Sequence, residues 1–213
     1  MILSSSQGFL LNTTQVCVAA SRTYVQEDIA PKFIEALKGR FEAAKASIGN
    51  PAEPTTMVGP LADKKQLERV LSYIESGKQE ATLLTGGNRI GDSGSFVEPT
   101  IFINPKEDAK IYKEEIFGPV ATIKTFKTEE EGVALANNTS YGLSSLIFTS
   151  SISRALRVAR QLEAGNVAIN STLMPSTNSP FGGWKQSGYG REGGKAGLLS
   201  YLEIKSIMIN MAV

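Results

Sequence analysis

Apolar positions change period repeatedly along the chain, and each change marks a passage between helix and strand. Ile29, Phe33, Ile34, Leu37 and Phe41 recur at helical spacing behind Asp28, a residue able to cap, and the run stops at Gly49, Asn50 and Pro51. Leu67, Val70, Leu71 and Ile74 predict a second helix that stops at Gly77. Short runs of strand character fall at Thr23 to Val25, Ala81 to Thr85, Phe96 to Ile103, Val120 to Phe126 and Leu143 to Thr149. Thr128 with Glu131 forms a capping-box pattern for a helix reaching Asn137. Ser153 opens another amphipathic helix that stops at Gly165, and Asn166 to Asn170 reads as a short buried strand of the parallel kind. Near the start, Asn12, Thr13 and Thr14 predict a cap for a short helix, which sets Cys17 near a helix N-terminus.

Strand and helix thus alternate, which implies right-handed crossovers and an α/β class: a mainly parallel, twisted sheet with helices on both faces. Residues 1–200 are expected to form this domain and residues 201–213 a terminal strand. The loop from Ser171 to Arg191 is rich in Gly, Ser, Thr and Pro, and a loop of that length in a compact domain suggests a site lining. Tyr201 to Met211 is too apolar to lie on an uncovered edge. Pairing with another chain, as in a homo-oligomer, is the expected cover.

Composition narrows the function classes. With 22 Lys and Arg against 21 Asp and Glu, no field argues for nucleic acid or an anionic membrane surface. No stretch has membrane-spanning length, and Met1 to Leu11 lacks the basic start and long apolar run of a signal peptide. One unpaired cysteine suits a reducing setting, so the cytoplasm is the expected compartment. The complete absence of histidine removes the usual general base and, with a single cysteine, any zinc site of the familiar type, so no metal is expected.

On residue type alone, Cys17 reads first as a small buried hydrophobe. A thiol at a helix start would instead meet backbone N–H groups and the positive end of the helix dipole, which favour a thiolate and could hold an oxyanion. Glu114-Glu115-Ile116-Phe117-Gly118-Pro119-Val120 could be a solvated turn beside a core phenylalanine. Pro180-Phe181-Gly182-Gly183-Trp184-Lys185-Gln186-Ser187-Gly188-Tyr189-Gly190-Arg191-Glu192 could be a structural turn, and no Gly-Lys-Ser/Thr follows to make it a phosphate cradle.

Taken together, these motifs resemble the aldehyde dehydrogenase family. The run Asn12-Thr13-Thr14-Gln15-Val16-Cys17-Val18-Ala19-Ala20-Ser21-Arg22 is similar to its nucleophile motif, in which a Gln stands two residues before the reactive Cys. Supporting matches include Gly59-Pro60-Leu61, Gly86-Gly87, Pro99-Thr100-Ile101-Phe102, Tyr141-Gly142-Leu143 and Tyr201-Leu202-Glu203-Ile204-Lys205. The resemblance implies Cys17 as nucleophile, Glu115 on the nicotinamide ribose, Phe117 beside the nicotinamide ring, and Phe181 and Gln15 at the substrate pocket. It implies an aldehyde substrate oxidised to a carboxylic acid through a thiohemiacetal and a thioester, with NAD or NADP as cofactor. One departure stands out: Thr14 occupies a position where the family usually has Gly, and a β-branched residue resists positive φ.

The family's dinucleotide fold and general-base Glu precede the nucleophile, and no G-x-G-x-x-G behind a strand replaces them here. The expectation is a catalytic half of an NAD(P)-dependent aldehyde dehydrogenase that binds no cofactor by itself. Two other readings stay open: a truncated relative using its pocket for non-redox carbonyl or ligand chemistry, and a non-catalytic oligomerisation partner.

Overall fold

The computed structural model describes residues 8–172 and 176–212. Residues 1–7 of the expected domain, 173–175 of the long loop and Val213 of the expected terminal strand lie outside the described residues.

The central sheet has four strands in the order β1 (Arg22–Gln26), β6 (Val120–Phe126), β5 (Thr100–Ile103) and β2 (Thr82–Thr85). The pairs β1/β6 and β5/β6 are parallel, and β2 closes the far edge antiparallel. A second parallel pair joins β8 (Ser144–Ile147) to β9 (Asn166–Ile169). Two small antiparallel pairs complete the sheets: β3 (Arg89–Ile90) with β4 (Phe96–Val97), and β7 (Tyr141–Gly142) with β10 (Trp184–Lys185). The mainly parallel α/β architecture is as expected.

Side-chain alternation in β5 and β6 explains why helices cover both faces. Phe102 and Val120 point into a cluster with Leu67, Val70 and Ile74 of α2 (Lys64–Glu80). Ile101, Ala121 and Ile123 point the other way, into Phe33, Leu37 and Phe41 of α1 (Ala30–Lys45). Further helices are α3 (Lys110–Lys113), α4 (Glu129–Asn137), α5 (Ile152–Ala159) and α6 (Gly194–Leu198).

Several boundaries differ from expectation for identifiable reasons. Asp28 does not cap α1: a 3₁₀ turn, Glu27–Ile29, intervenes, with the Gln26 side chain accepting from Asp28 N at 3.2 Å. Helix α2 runs past Gly77, where a Cβ would come within 2.7 Å of the Phe102 ring, so this glycine serves helix-on-sheet packing and is not a stop. The expected strand Phe96 to Ile103 is broken at Glu98 and Pro99, because proline has no N–H for the ladder. The capping pattern of α4 is realised, with Thr128 Oγ1 accepting from Glu131 N at 3.3 Å. Residues 202–212 run exposed and pair with no strand among the described residues, so the terminal strand is not formed within this chain.

Candidate active site

Cys17 does not begin a helix. Residues 8–10 are helical, and Asn12, Thr13 and Thr14 then take left-handed backbone with φ of 50°, 55° and 62°. That turn ends the preceding helix and starts no new one, because a right-handed helix cannot propagate through left-handed residues. Ala19 N donates to Val16 O at 3.0 Å, so Cys17 stands exposed at the second position of a tight turn leading into β1. The helix-dipole activation expected for the thiol has no structural counterpart here.

The turn is tied to the segment just ahead of α2. Thr13 Oγ1 donates to Gly59 O at 3.0 Å, Gln15 Nε2 donates to Pro60 O at 3.3 Å, and Gln15 Oε1 accepts from Ala62 N at 2.8 Å. Immediately afterwards Asp63 caps α2 by accepting from Gln66 N at 2.7 Å.

One face of α2, graded from exposed Arg69 through half-buried Gln66 to buried Tyr73, holds the Glu114 to Gly118 motif. Gln66 Nε2 donates to the carbonyls of Ile116 and Phe117 at 3.1 and 2.9 Å, and Arg69 Nη2 donates to that of Glu115 at 2.8 Å. Tyr73 Oη donates to Glu114 Oε2 at 2.7 Å. Burial, and next the Glu114 carboxylate, push the Tyr73 phenol above its usual value, so the group remains a donor. Phe117 sits at φ 59°, and a Cβ on Gly118 would come within 2.5 Å of Val70, so the loop needs glycine there for close approach to α2. The result is a solvent-accessible Phe117 ring on a tightly held backbone.

Gln15, Gln66, Arg69 and Phe117 line one cavity of about 920 Å³. A second, of about 1070 Å³, begins at Val18 and runs between β1 and β8. Cys17 itself lines neither cavity; its neighbours do, Gln15 in the first and Val18 in the second. Glu115 is exposed beside the first.

The third motif packs elsewhere. Phe181 and Glu192 exchange backbone hydrogen bonds of 2.7 and 2.8 Å. Arg191 Nη1 donates to the carbonyls of Gly183 and Gly190, and Asn166 Nδ2 donates to those of Leu143 and Gly182. A Cβ on Gly165 would lie 2.0 Å from Gly182 O, so these glycines let backbones touch. Phe181 is half-buried and lines neither cavity. The structure thus brings Gln15 and Phe117 together and leaves Phe181 apart.

Sequence reasoning missed Gln66, Arg69 and Tyr73. Their spacing of three and four residues puts them on one helix face, with Gln66 and Arg69 flanking the apolar Leu67, Val70 and Ile74 and Tyr73 buried among them. Among the described residues no group of three or more acidic or cysteine side chains could hold a metal ion. No helix among them is long and apolar enough to cross a membrane.

Comparison with known proteins decides the family, since residues 2–207 match the aldehyde dehydrogenase family. The chain belongs to that family. It is 47% identical over 205 residues to an aldehyde dehydrogenase of Alternaria alternata, covering 96% of this chain and 41% of the relative. It is 45% identical to retinal dehydrogenase 2 of Gallus gallus, across 96% of this chain and 39% of the relative. A betaine aldehyde dehydrogenase mutant of Staphylococcus aureus, solved with NAD+ and a chemically modified cysteine, superposes with a TM-score of 0.95 at 39% identity. That match covers 100% of this chain and 44% of the other. This aldehyde dehydrogenase family chain therefore spans about two-fifths of the length of the relatives it matches.

Proposed function

We propose that the chain provides the nucleophile and the nicotinamide-facing surface of an NAD(P)-dependent aldehyde dehydrogenase. The observation that carries the reading is the placement of Cys17, exposed in a turn two residues after Gln15, which lines one cavity together with Phe117.

With its proton given up to solvent, Cys17 Sγ adds as thiolate to the aldehyde carbon, and the C=O π pair moves to oxygen as an alkoxide. A nicotinamide dinucleotide, when bound, supplies the acceptor for the aldehydic hydride. The donor set fits its nicotinamide end: an accessible aromatic face at Phe117, and at Glu115 a carboxylate able to accept from two ribose hydroxyls. The acyl group on Cys17 is then a thioester, which water cleaves to the carboxylic acid. Glu115 and Phe117 touch one end of a dinucleotide only, so binding by the 213 residues alone is expected to be weak. The cytoplasmic setting, the division at residue 200 and the homo-oligomer through residues 201–213 belong to the same reading.

The test grafts this chain in place of the matching 41% of the Alternaria alternata relative. NAD(P)H formation with a panel of aldehydes, abolished by Cys17→Ala and lowered by Glu115→Gln, is the expected result. A chimera whose turnover survives Cys17→Ala overturns it. In the ungrafted chain, aldehydes should protect Cys17 from alkylation.

A further inference from the structure

We infer that Gln15 is a positioning residue: it clamps the Cys17 turn to residues 60–62 and keeps no donor for the substrate. The inference rests on the reading of Cys17 as nucleophile.

A side-chain amide has two N–H donors and one carbonyl oxygen. In Gln15 both donors are taken by backbone carbonyls, those of Asn12 and Pro60, each at 3.3 Å. Its oxygen accepts from Ala62 N at 2.8 Å. One bond closes the left-handed turn on itself, and the other two cross 45 and 47 residues of sequence. A side chain used this way holds backbone to backbone, although it lines the cavity.

The clamp matters because Cys17 is fixed only at its flanks. On the far side, the next tie to the sheet is Ser21 O, which accepts from Thr122 N at 2.9 Å. Between Gln15 and Ser21 only two short turn bonds operate, Ala19 N to Val16 O and Ser21 N to Ala19 O. Cutting the clamp therefore lengthens the five-residue arch at one end, back to Thr14 and Thr13, whose own hydroxyl bonds to Phe9 O and Gly59 O remain.

The anchor is also specific in direction. Ala62 directly precedes Asp63, the cap of α2, and α2 holds the Phe117 backbone through Gln66. Gln15 thus registers the thiol against the same rigid helix that carries the nicotinamide-facing ring. Misplacement by about 1 Å between reacting groups costs on the order of 10²-fold in rate, so such a registry is a functional requirement.

Cys17 is the chain's single cysteine, so a thiol-specific nitroxide reports from one place. We expect a restrained label in the wild type and a several-fold shorter rotational correlation time in Gln15→Met, which keeps length and loses all three bonds. Amide exchange at Ala62 should accelerate about fivefold, the equivalent of one net hydrogen bond. Gln15→Glu keeps the acceptor and loses the donors, so it should free the label while leaving Ala62 protected. Thr100→Val, which weakens the core away from the turn, should lower the melting temperature without moving the label; a general loss of stability would not discriminate in this way. Wild-type label mobility and wild-type Ala62 exchange in Gln15→Met overturn the inference. Should that variant not fold, Gln15→Glu decides the matter by its label mobility alone. Aldehyde protection of wild-type Cys17 tests the nucleophile separately, and either result can fail while the other stands.

Discussion

Thr14 donates its hydroxyl to the carbonyl of Phe9 at 2.8 Å while its own backbone holds a φ of 62°. Left-handed backbone costs a non-glycine residue roughly 1–2 kcal/mol. The buried hydroxyl bond returns about 0.5–1.5 kcal/mol, so the two effects nearly cancel. Phe9 in turn stacks on Phe41 of α1 with ring centroids 5.3 Å apart, which carries the turn into the core. A threonine where the family usually has glycine is thereby accommodated by its own side chain.

Thr14→Ala keeps the strained backbone and removes the bond, so it should lose about 1 kcal/mol. Thr14→Gly removes strain and bond together and should stay within about 1 kcal/mol of the wild type. Thermal melts give the order, with the Gly variant above the Ala variant. An Ala variant that melts at or above the Gly variant contradicts left-handed geometry at this residue.

Thr100 joins two segments that the sequence keeps apart. Its fully buried Oγ1 accepts from Gly87 N at 2.9 Å and donates to Glu98 O at 2.7 Å. A Cβ on Gly86 would meet Pro99 O at 2.3 Å, which explains why glycine faces this proline. Thr100→Val keeps the shape and strands the Gly87 N–H, at an expected cost of about 1–3 kcal/mol. Urea unfolding with an unchanged m-value is the check; a variant as stable as the wild type would mean that the hydroxyl bonds are not formed.

Glu129 links α4 to α5 through a two-pronged contact with Arg157, Nε to Oε1 at 2.7 Å and Nη2 to Oε2 at 2.8 Å, with Arg154 alongside. The Arg157 hydrogen bonds, followed by the charges of Arg157 and Arg154, hold the carboxyl below its ordinary 4.5. A lowered carboxylate contributes stability that is fully present above 4.5 and is lost as pH falls through the lowered value. Glu129→Gln should therefore melt below the wild type at pH 7. The gap should close as the pH drops beneath 4.5, and it should shrink with added salt because the pair is exposed. A gap independent of pH would assign the effect to packing.

How much of this was legible depends on how far the deciding contacts reach. Val120 to Phe126 matched its strand at both ends because a run rich in β-branched and aromatic residues, Val120, Thr122, Ile123, Thr125 and Phe126, is a local signal. Cys17 was misplaced because Asn, Thr and Thr are both good helix caps and tolerable members of a left-handed turn. The choice is made by Gly59, Pro60 and Ala62, more than forty residues away. Gly77 was read as a stop because its partner, Phe102, belongs to another element. The grip of α2 on the Glu114 to Gly118 loop was invisible for a related reason: Gln66 and Arg69 bind backbone carbonyls, which no residue pattern announces.

Residues 202–212 present the clearest demand for a partner. Leu202, Ile204, Ile207, Ile209 and Met211 are each at least 65% exposed, and the backbone pairs with no strand among the described residues. Burying an aliphatic side chain of this size is worth roughly 1.5–3 kcal/mol, so covering five of them offsets much of the cost of ordering a short segment. Leu202, Ile204 and Met208 share one phase of an extended chain, and Ile207, Ile209 and Met211 share the other. A single flat strand cannot put both sets on one face, so the two halves should cover different surfaces, or a bulge at 205–206 should realign them. A second copy of the chain would supply those surfaces symmetrically, since each protomer would bring the same segment and the same exposed edges. Sedimentation at micromolar concentration should give a dimer or larger species, and deletion of residues 201–213 should give a monomer with unchanged helix content. Ile204→Lys and Ile209→Lys should each weaken association, and if the halves dock separately the two effects should add. A full-length chain that sediments as a monomer at every concentration tested would leave these side chains without a partner of their own kind and would remove the basis for the symmetric assembly.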